Sequence, residues 1–401
     1  IFTMEDGLYD VNVHDLSFIT RYPDKQSIGD NFLFGYHGKG AYTGGGRLIV
    51  ANNGRDTDQD NPQGPAGVLA SWDGSVLGNA SATPDQMTAW NEYARVQHCE
   101  VTGPGDIYGN SSSNDPVWAT GFDWKSVLLR TFENGTWTTW RLPKSSYTHD
   151  GSHGWHTEWP RIREISPGKF LMHMHGMFFD FPPTFSSTNF SGLSPICSYY
   201  KMPVDYCTWE GRLVMAKNDS SQFDNALVPR AQSNFWFGQL ADLKQWGAPQ
   251  GHGSLWRNEA VASGQASEPF LTKGFANGTL HLRNSGTLPL PIEIQHSSGN
   301  GVWSSVQSVT VPPNSSHWEV LNPIPGDWIR LMAGATSPDV TATFLLANPY
   351  PHMTPASAGT SRFAALADIR DDRAMTDGLI RVMAGTDLKL EFASRATSSG
   401  G

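Results

Sequence analysis

Charged residues are scarce in this chain: only 16% of its 401 residues are Asp, Glu, Lys or Arg, while 11% are aromatic. Disordered chains show the opposite balance, with many charges and few aromatic side chains, so the composition excludes a largely disordered protein. The formal net charge of -10 argues against nucleic acid or an anionic membrane surface as a partner. No apolar run approaches the length that a membrane span needs.

Helical periodicity is also rare, since only residues 85–98, DQMTAWNEYARVQH, show a pattern typical of a helix. The 41 glycines and frequent Pro, Asn and Asp turns instead separate short segments with strand character. These segments include VLLRTF, GTWTTWRLP, SNFWFGQL, GVWSSVQSVTVPP and VTATFLLA. The sequence therefore predicts an all-β fold.

A weak internal repeat refines that prediction. Five segments begin with Gly, alternate apolar residues and end in a polar turn: GRLIVANNG (46–54), GKFLMHMHG (168–176), GRLVMAKND (211–219), GTLHLRNSG (278–286) and GLIRVMAGT (378–386). The second and third are separated by about one propeller blade of ~40–45 residues. We predict a single β-propeller over residues 1–395, whose ring closes by pairing of the chain ends, and a disordered tail at 396–401. A β-sandwich at residues 270–350 is the main alternative, because that part alone has meander-like spacing.

Two features favour a secreted, extracellular protein. Asn-x-Ser/Thr sequons, which are acceptors for N-glycosylation, are more frequent than this composition predicts by chance. They occur at Asn79, Asn110, Asn134, Asn189, Asn218, Asn277 and Asn314. The chain also begins at Ile1 instead of Met, which suits a processed product.

The chain has only three cysteines, and this odd number fits a secreted protein less well than an even one. Cys197 and Cys207 close a short loop, in which a disulfide would stabilise the fold by about 2–3 kcal/mol. The sequence predicts that this bridge forms and that Cys99 is a buried free thiol.

Histidines are concentrated between Tyr147 and Pro182, which hold five of the thirteen: His149, His153, His156, His173 and His175. Imidazole gives or takes a proton near neutral pH without a large shift of its pKa. The segment KFLMHMHGMFF is apolar enough for a buried strand, on which His173 and His175 point to the same face. The pattern predicts proton transfer. The alternatives are a metal site completed by His153 or His149, or two buried histidines that only fill the channel.

Several segments resemble a propeller superfamily of uronate-acting polysaccharide enzymes: WNEYARVQHCEVTGPGDIYG, DPVWATGFDWKSVLLRTF, GTWTTWRLPK, GWHTEWPRIREI, MHGMFFDFP and QSNFWFGQLADLKQWG. The similarity spans residues 30–350 and is most specific from GWHTEWPRIRE to MHGMFFDFP. The superfamily contains ulvan lyases, rhamnose–glucuronate lyases and related α-L-rhamnosidases. The sequons favour the fungal rhamnose–glucuronate lyases that trim gum arabic and arabinogalactan side chains. The resemblance implies a seven-bladed propeller with a carbohydrate site at one mouth of its channel.

β-Elimination next to a uronate needs a cation or donor on the carboxylate, a base for the C5 proton and an acid for the leaving oxygen. Similarity to ulvan lyases places the catalytic histidines at His153 and His175. Arg257 and Arg230 are the predicted carboxylate partners, because Arg binds a carboxylate through two parallel hydrogen bonds. The predicted substrate-binding residues are His156, His173, Tyr199, Tyr200, Arg161 and Trp155, and Tyr206 is a further candidate partner of the base.

Some of these residues have a second interpretation. Arg161 and Arg163 could have a purely structural role, in which they bridge neighbouring blades through pairs with Glu158 and Glu164. The tryptophans, Trp155 among them, are more often core residues than sugar platforms. The sequence requires no cofactor, although a structural divalent cation in the channel is compatible with the histidine pattern. We expect a monomer that acts on a uronate-containing polysaccharide or glycoprotein glycan.

Two other functions stay open. The related rhamnosidases are thought to use a histidine in the N-terminal part of the propeller, on the opposite face, and His37 in GYHGKGAYTGGGRLIVANNG has that context. The chain would then be a glycoside hydrolase that acts on the same linkage. The other alternative is a non-catalytic glycan-binding propeller. The histidine cluster argues against it, because sugar binding alone does not need groups that titrate near neutrality.

Overall fold

The computed structural model describes residues 8–12, 14–22, 38–53, 67–72, 90–94, 96–105, 115–145, 161–199, 202–218, 234–349, 375–382 and 390–396. Nearly all regular structure in these ranges is β-strand, which confirms the predicted all-β class. The one helix among them is a 3₁₀ helix of six residues, Leu240–Gln245. Within the described ranges no helix has the length and apolarity to cross a bilayer.

Antiparallel sheets succeed one another through the first part of the chain. A two-stranded sheet comes first, with Leu8–Val11 (β1) and Phe18–Tyr22 (β2). The first meander consists of Gly38–Gly44 (β3), Arg47–Asn53 (β4), Gly67–Trp72 (β5) and Trp90–Ala94 (β6). The second meander consists of Gln97–Thr102 (β7), Val117–Phe122 (β8), Val127–Glu133 (β9) and Thr136–Leu142 (β10).

Two further meanders follow. The third consists of Arg161–Ser166 (β11), Lys169–Met174 (β12), Met177–Phe181 (β13) and Ser194–Ser198 (β14). The fourth has three strands, Met202–Trp209 (β15), Arg212–Asn218 (β16) and Asn234–Gly238 (β17). Successive antiparallel meanders of this kind are the units from which propellers are built.

Tight turns with positive φ angles set the register of these meanders. Two residues that both have φ between 47° and 83° connect neighbouring strands at Gly45–Gly46, Asn134–Gly135, His175–Gly176 and Glu210–Gly211. Such turns match the twist of antiparallel strands and favour Asn-Gly or Gly-Gly. The Gly-led repeat arises here, because in three of its five segments the glycine (46, 168 or 211) is the last turn residue before the second strand of a meander.

Residues 250–347 have a different topology. Their strands are Gln250–Val261 (β18), Phe270–Leu271 (β19), Asn277–Asn284 (β20), Leu290–Ser297 (β21), Ser304–Val311 (β22), Ser315–Leu321 (β23), Trp328–Ala333 (β24) and Ser337–Ala347 (β25). One sheet has the order β18-β25-β20-β23, and the other contains β22-β21-β24-β19.

These two sheets form a β-sandwich. Their buried faces alternate with the strand period and contribute to one apolar core, which includes Leu282, Ile292, Ile329, Val340 and Phe344. The sequence offered a sandwich at 270–350 as its alternative, and the topology has that form. A single propeller therefore does not account for this part of the chain, because its strands pair in two facing sheets and not in a further meander.

The sandwich and the second meander are joined into one eight-stranded sheet. Parallel pairing of Arg141 in β10 with Phe270 in β19 makes the connection. Beside this joint the backbone at Gly251 approaches Pro143 so closely that a Cβ at Gly251 would lie 2.6 Å from the Cβ of Pro143. The apolar core continues across the joint, so the two parts share one core.

The described strands do not close a ring. Strand β1 pairs with β2, and at the other end Met375–Val382 (β26) pairs with Leu390–Ala396 (β27). The predicted pairing of the chain ends is therefore not seen in the described ranges, and the seven blades stay a prediction from the resemblance. All five Gly-led segments contain strands, as predicted: β4, β12, β16, β20 and β26. Of the predicted tail, Ala396 is the last residue of β27, and 397–401 lie outside the described residues.

The predicted helix at 85–98 is wrong where the structure describes it. Trp90–Ala94 forms β6, at the edge of the first meander. Tyr93 explains the difference, because its ring packs on Trp137 and its hydroxyl is hydrogen-bonded to Ser71 at 2.7 Å. Tertiary packing of this aromatic side chain outweighs the local helical periodicity.

Candidate functional site

The third meander carries the two histidines for which the sequence predicts a shared face. His173 lies in β12, but β12 ends at Met174, and His175 is the first residue of the following turn, with a φ of 47°. This left-handed conformation directs the His175 ring to Phe122 in β8, with ring centroids 4.4 Å apart. His173 instead faces Tyr206 in β15. The prediction is therefore wrong: the strand ends one residue too early, and the imidazoles contact different neighbouring meanders.

His173 forms a hydrogen-bonded pair with Tyr199. Its Nδ1 lies 2.8 Å from the Tyr199 hydroxyl oxygen, and the rings of Phe178 and Tyr206 flank the imidazole. Only 2% of His173 is exposed, and its Nε2 has no hydrogen-bond partner among the described residues. These contacts match the alternative that the sequence left open, a buried and hydrogen-bonded histidine, but they also create a phenol–imidazole pair.

Burial keeps this pair neutral. It lowers the pKa of His173 well below the ordinary value for histidine, and Arg161 and Arg163 nearby lower it further. Burial also raises the pKa of Tyr199. Both shifts favour imidazole and phenol over their charged forms at neutral pH. The shifts therefore oppose transfer of the phenol proton to the imidazole and leave the hydroxyl as a neutral hydrogen-bonding group.

Arg161 and Arg163 connect three meanders. From β11, each places a guanidinium nitrogen 3.0 Å from a carboxylate oxygen of Glu100 in β7. Each also reaches Asp205 in β15, at 3.2 and 3.3 Å. Burial raises the pKa of Glu100, and the two arginines oppose that shift. The bridging interpretation of these arginines therefore agrees with the geometry.

The partners of the arginines differ from the predicted ones. Glu164 accepts a hydrogen bond from the backbone N–H of Gly168 at 2.6 Å, and Glu158 lies outside the described residues. Arg161 is predicted to bind substrate, but its guanidinium already has two carboxylate partners. The sequence did not reveal Glu100, although one signal was present: Glu100 is the single acidic residue in the strand QHCEVT, and a buried carboxylate needs a cationic partner.

Hydrogen bonds tie the His175 turn to the sandwich. The backbone N–H of Ser145 donates to the carbonyl oxygen of His175, and its hydroxyl donates to the Ser198 hydroxyl at 2.6 Å. Ser198 also accepts from the backbone N–H of Gln250, at the start of β18, at 3.1 Å. The first strand of the sandwich therefore begins beside the histidine turn.

A cleft of about 280 Å³ opens at this junction. It is lined by Ser145, Gln250, Gly251, Asn277, Gly278, Thr279, Leu345, Leu346 and Ala347. Its volume is at the lower end of the range for small-molecule sites. None of the lining side chains titrates near neutral pH, so the cleft has the chemistry of a binding surface and not of a reacting centre.

The structure does not bring Arg257 into contact with His173. The Arg257 guanidinium donates to the carbonyl oxygen of Trp124 and lies 5.5 Å from the centre of that indole ring. Its role as a carboxylate partner stays a prediction, and so does that of Arg230, which lies outside the described residues.

Several predicted site residues lie outside the described residues: His37, His149, His153, Trp155, His156 and Tyr200. Four of them belong to the segment 146–160, which leaves the described chain at Ser145 and returns at Arg161. Ser145 donates to the His175 carbonyl, and Arg161 is the cross-strand partner of His173. Both flanks of the segment therefore adjoin the β12–β13 turn.

The predicted disulfide is wrong, because Cys197 and Cys207 are both free thiols. Cys197 is buried in β14 within the core between the third and fourth meanders, whereas Cys207 is exposed on β15. Closeness in sequence does not make the two side chains meet. Burial raises the pKa of the Cys197 thiol to about 12. Cys99 is buried and forms no disulfide, as predicted.

Glycosylation stays a prediction, and the described sequons differ in accessibility. Asn79 and Asn110 lie outside the described residues, and Asn218 ends β16. The amide of Asn189 is hydrogen-bonded to Thr184. The exposed sequon residues are Asn134, Asn277 and Asn314.

No group of three or more His, Cys, Asp or Glu side chains in the described ranges is arranged to hold a metal ion. The alternative of a metal site that uses His149 or His153 falls on residues outside those ranges. The structural divalent cation that the sequence allows therefore stays a prediction.

No family model matches the chain, and no curated protein matches it. Solved structures with some similarity include a GH32 β-fructofuranosidase from Bombyx mori, at 12% identity and a TM-score of 0.25, with 78% of this chain and 79% of that chain covered. A GH43 arabinoxylan arabinofuranohydrolase from Bacillus subtilis is 9% identical, with a TM-score of 0.23 and 80% and 96% covered. The PBSX exported protein XepA is 12% identical, with a TM-score of 0.20. The match covers 32% of this chain and 50% of XepA, so the chain spans half of the length of XepA. Likenesses this low do not establish a shared fold.

Proposed function

We propose that this chain is a secreted polysaccharide lyase that cleaves the rhamnose-α-1,4-glucuronate linkage of gum arabic or arabinogalactan-type glycans by β-elimination. The hydrogen-bonded pair of His173 and Tyr199 is the observation that carries the proposal. His173 lies in the part of the sequence that resembles uronate lyases most specifically, from GWHTEWPRIRE to MHGMFFDFP. A neutral phenol–imidazole pair is suited to elimination, in which a proton is removed at one atom and supplied at another.

The reaction removes the proton on C5 of glucuronate and breaks the bond between C4 and the linkage oxygen. The electron pair of the C–H bond forms the C4=C5 double bond, and the oxygen leaves with rhamnose after it takes a proton. Tyr199 is less deeply buried than His173, so we assign the sugar contact to the Tyr199 hydroxyl. His173 then acts as a positioning residue, because the hydrogen bond at its Nδ1 orients the phenol hydroxyl. His153 and His175 keep their predicted roles as further acid and base.

The substrate carboxylate also needs a cationic partner. Arg161 and Arg163 hold Glu100 and Asp205, and removing them from these carboxylates would leave a buried charge unpaired. They are therefore poor candidates for a group that binds and releases a uronate. The role therefore stays with the two predicted arginines, Arg257 and Arg230.

We also propose that the pair lies at a propeller mouth, as the resemblance implies. We assign the four meanders at residues 38–238 as blades, with the ring and its seven-blade count as implied by the resemblance. The segment 146–160 joins the described chain at Ser145 and Arg161, which contact His175 and pair with His173. That His153 lies at the same rim as His175 stays a prediction, because His153 lies outside the described residues.

The ultraviolet absorbance of an unsaturated uronate tests the proposal, because hydrolysis leaves the glucuronate ring saturated. Tyr199→Phe removes only the hydroxyl and keeps the ring on Phe178. We expect this change to lower turnover of gum arabic by about 10²–10⁴-fold, the usual contribution of a general acid or base.

Tyr206→Phe is the matched control. Its ring also lies against His173, but its hydroxyl donates to the carbonyl oxygen of Leu171 and not to the imidazole. We expect this variant to be folded, as checked by circular dichroism, and to keep its turnover. Equal turnover in the two variants would mean that the His173–Tyr199 pair only fills the core.

Other outcomes identify the competing functions. Release of rhamnose without an unsaturated product, lost in His37→Ala and kept in Tyr199→Phe, would establish a hydrolase. Binding of the glycan without release of any product would establish a glycan-binding protein.

A further inference from the structure

The outer face of one sandwich sheet displays an exposed aromatic side chain. Trp318, in the edge strand β23, is 74% exposed, and Val320 on the same face is 69% exposed. Tryptophan normally buries most of its large apolar surface. Grouped apolar exposure on a regular strand marks a binding surface more often than isolated exposure does.

Cross-strand register extends this surface over the whole sheet. Val320 lies opposite Thr279, Thr279 opposite Leu345, and Leu345 opposite His252. Leu345 is 51% exposed. Because neighbouring strands are ~4.8 Å apart, this row is about 14 Å long.

Polar groups lie in the rows beside it. Trp318 is opposite His281, which is opposite Thr343, and the Thr343 hydroxyl is hydrogen-bonded to Ser254 at 2.8 Å. Further along β20, the half-exposed Arg283 reaches Asp339 at 3.5 Å. The face therefore combines an indole ring with hydroxyl, imidazole and guanidinium groups.

The same face is continuous with the candidate site. Thr279 and Leu345 belong to the row described above and also line the cleft of about 280 Å³. Ser145 lines that cleft as well, and its backbone N–H donates to the carbonyl oxygen of His175. One connected surface thus leads from Trp318 to the histidine turn.

We propose that this face binds a polysaccharide chain, with Trp318 stacked on a sugar ring and Arg283 beside a uronate carboxylate. A pyranose ring has apolar C–H faces and a rim of hydroxyl groups, which match the indole and the polar rows. On a protein whose net charge is -10, the half-exposed Arg283 places a guanidinium on this face, with Asp339 at 3.5 Å as its identified carboxylate partner, and so offers a cationic contact for an anionic glycan. The identity of the sugar rests on the proposed function, whereas the binding surface itself does not.

Affinity electrophoresis in gels that contain gum arabic tests this surface. The full chain with Tyr199→Phe serves as the parent, so that turnover does not consume the glycan. Adding Trp318→Ala should weaken the retardation about tenfold, as expected for the loss of one stacking contact. Trp209→Ala is the matched control, because Trp209 is also exposed, at 58%, but lies on the fourth meander; its retardation should equal that of the parent.

A second arm separates stacking from charge. Arg283→Gln should weaken retardation by native gum arabic and leave retardation unchanged in gum whose carboxyl groups have been reduced to alcohols. Trp318→Ala should weaken retardation in both gums.

Unchanged retardation of Trp318→Ala would overturn the proposal. So would a lower mass of Trp318→Ala than of the parent in sedimentation, which would make the face an interface between two copies of the chain. Failure of the proposed function looks different: the wild-type chain would form no unsaturated uronate, while retardation would still depend on Trp318.

Discussion

The meanders and the sandwich bury different kinds of polar side chain. Every buried acidic, basic or imidazole side chain in the described ranges lies between His98 and His175. The buried polar side chains of the sandwich are Ser, Thr and Asn. Buried charges need charged partners, whereas hydroxyl and amide groups can be satisfied by nearby backbone. Pairing of buried charges is therefore essential in the core of the meanders and absent from the described core of the sandwich.

Asn284 illustrates the solution in the sandwich. Its amide nitrogen donates to the carbonyl oxygen of Leu288 at 2.8 Å. Its Oδ1 accepts from the backbone N–H of Gly286 and the hydroxyl of Ser337, at 2.9 and 2.8 Å. This neutral network does not titrate, so it adds stability that does not vary with pH.

Asp123 illustrates the solution in the meanders. Arg141 holds its carboxylate through two hydrogen bonds, at 3.0 and 2.9 Å. Burial alone would raise the pKa of Asp123, but the charge and hydrogen bonds of Arg141, together with the backbone N–H of Ser126 and the charge of Lys125, outweigh burial and lower it. Regions that contain such shifted groups are also where proton-transfer chemistry is usually found. The comparison therefore favours the meanders for chemistry and the sandwich for rigid support and binding.

The largest expected effect comes from the ionic cluster of the meanders. Glu100→Gln removes the carboxylate that Arg161 and Arg163 both reach at 3.0 Å, and Asp205 remains as a partner of each. We expect a loss of about 3–5 kcal/mol in the free energy of unfolding, the usual result of breaking a buried pair on one side. Urea denaturation measures it, with Glu210→Gln in an exposed turn as the control. A loss below about 1 kcal/mol would show that the meanders do not depend on this cluster.

A core substitution in the sandwich should have an effect of similar or smaller size. Leu282→Ala removes a fully buried side chain, and we expect it to cost about 2–5 kcal/mol. Because the apolar core continues across the joint between β10 and β19, both regions should unfold in one transition. Leu345→Ala, at a half-exposed position, should change stability by less than ~0.5 kcal/mol. Two separate transitions in calorimetry would contradict the shared core.

A third effect is a pH dependence that arises in the meanders. Burial lowers the pKa of His98 from 6.5 to about 3. Below pH 6.5 His98 is protonated in the unfolded chain, whereas in the folded chain it stays neutral down to about pH 3. Stability should therefore fall as pH decreases through that window and should not depend on His98 above it.

His98→Gln removes this contribution and should flatten part of the slope of the urea midpoint between pH 7 and pH 4. Ser308→Ala, at an exposed position of the sandwich strand β22, changes no titratable group and is the control, which should leave the slope as it is. An unchanged slope in His98→Gln would mean that the acid sensitivity comes from other groups.

The strands could be predicted from the sequence because apolar alternation is a local pattern. VLLRTF, GTWTTWRLP and VTATFLLA all lie on strands, at β9, β10 and β25. The turns were also readable, since Gly46, Asn134–Gly135 and Gly211 are residues that tolerate positive φ. The sequence offered a sandwich at 270–350 only as an alternative to a single propeller, because the choice depends on which non-local edges pair.

The histidine cluster shows the same limit at the level of the site. Its residue types indicated proton transfer, but the direction of each ring did not follow from spacing. Because β12 ends at Met174, one residue before His175, the His175 ring contacts Phe122 and does not share a strand face with His173. The disulfide failed for the same reason, since Cys197 and Cys207 are near in sequence but have different environments.

The sequence by itself determined the all-β class, the strand segments and the turn residues, because each depends on periodicity and backbone preference within a few residues. Only the tertiary structure decided the partners: Tyr199 for His173, Glu100 and Asp205 for the two arginines, and the sandwich for the second meander. Side chains far apart in sequence meet only after strands have paired and cores have packed. The chemistry of a buried group depends on those neighbours, through the burial and charge that set its pKa.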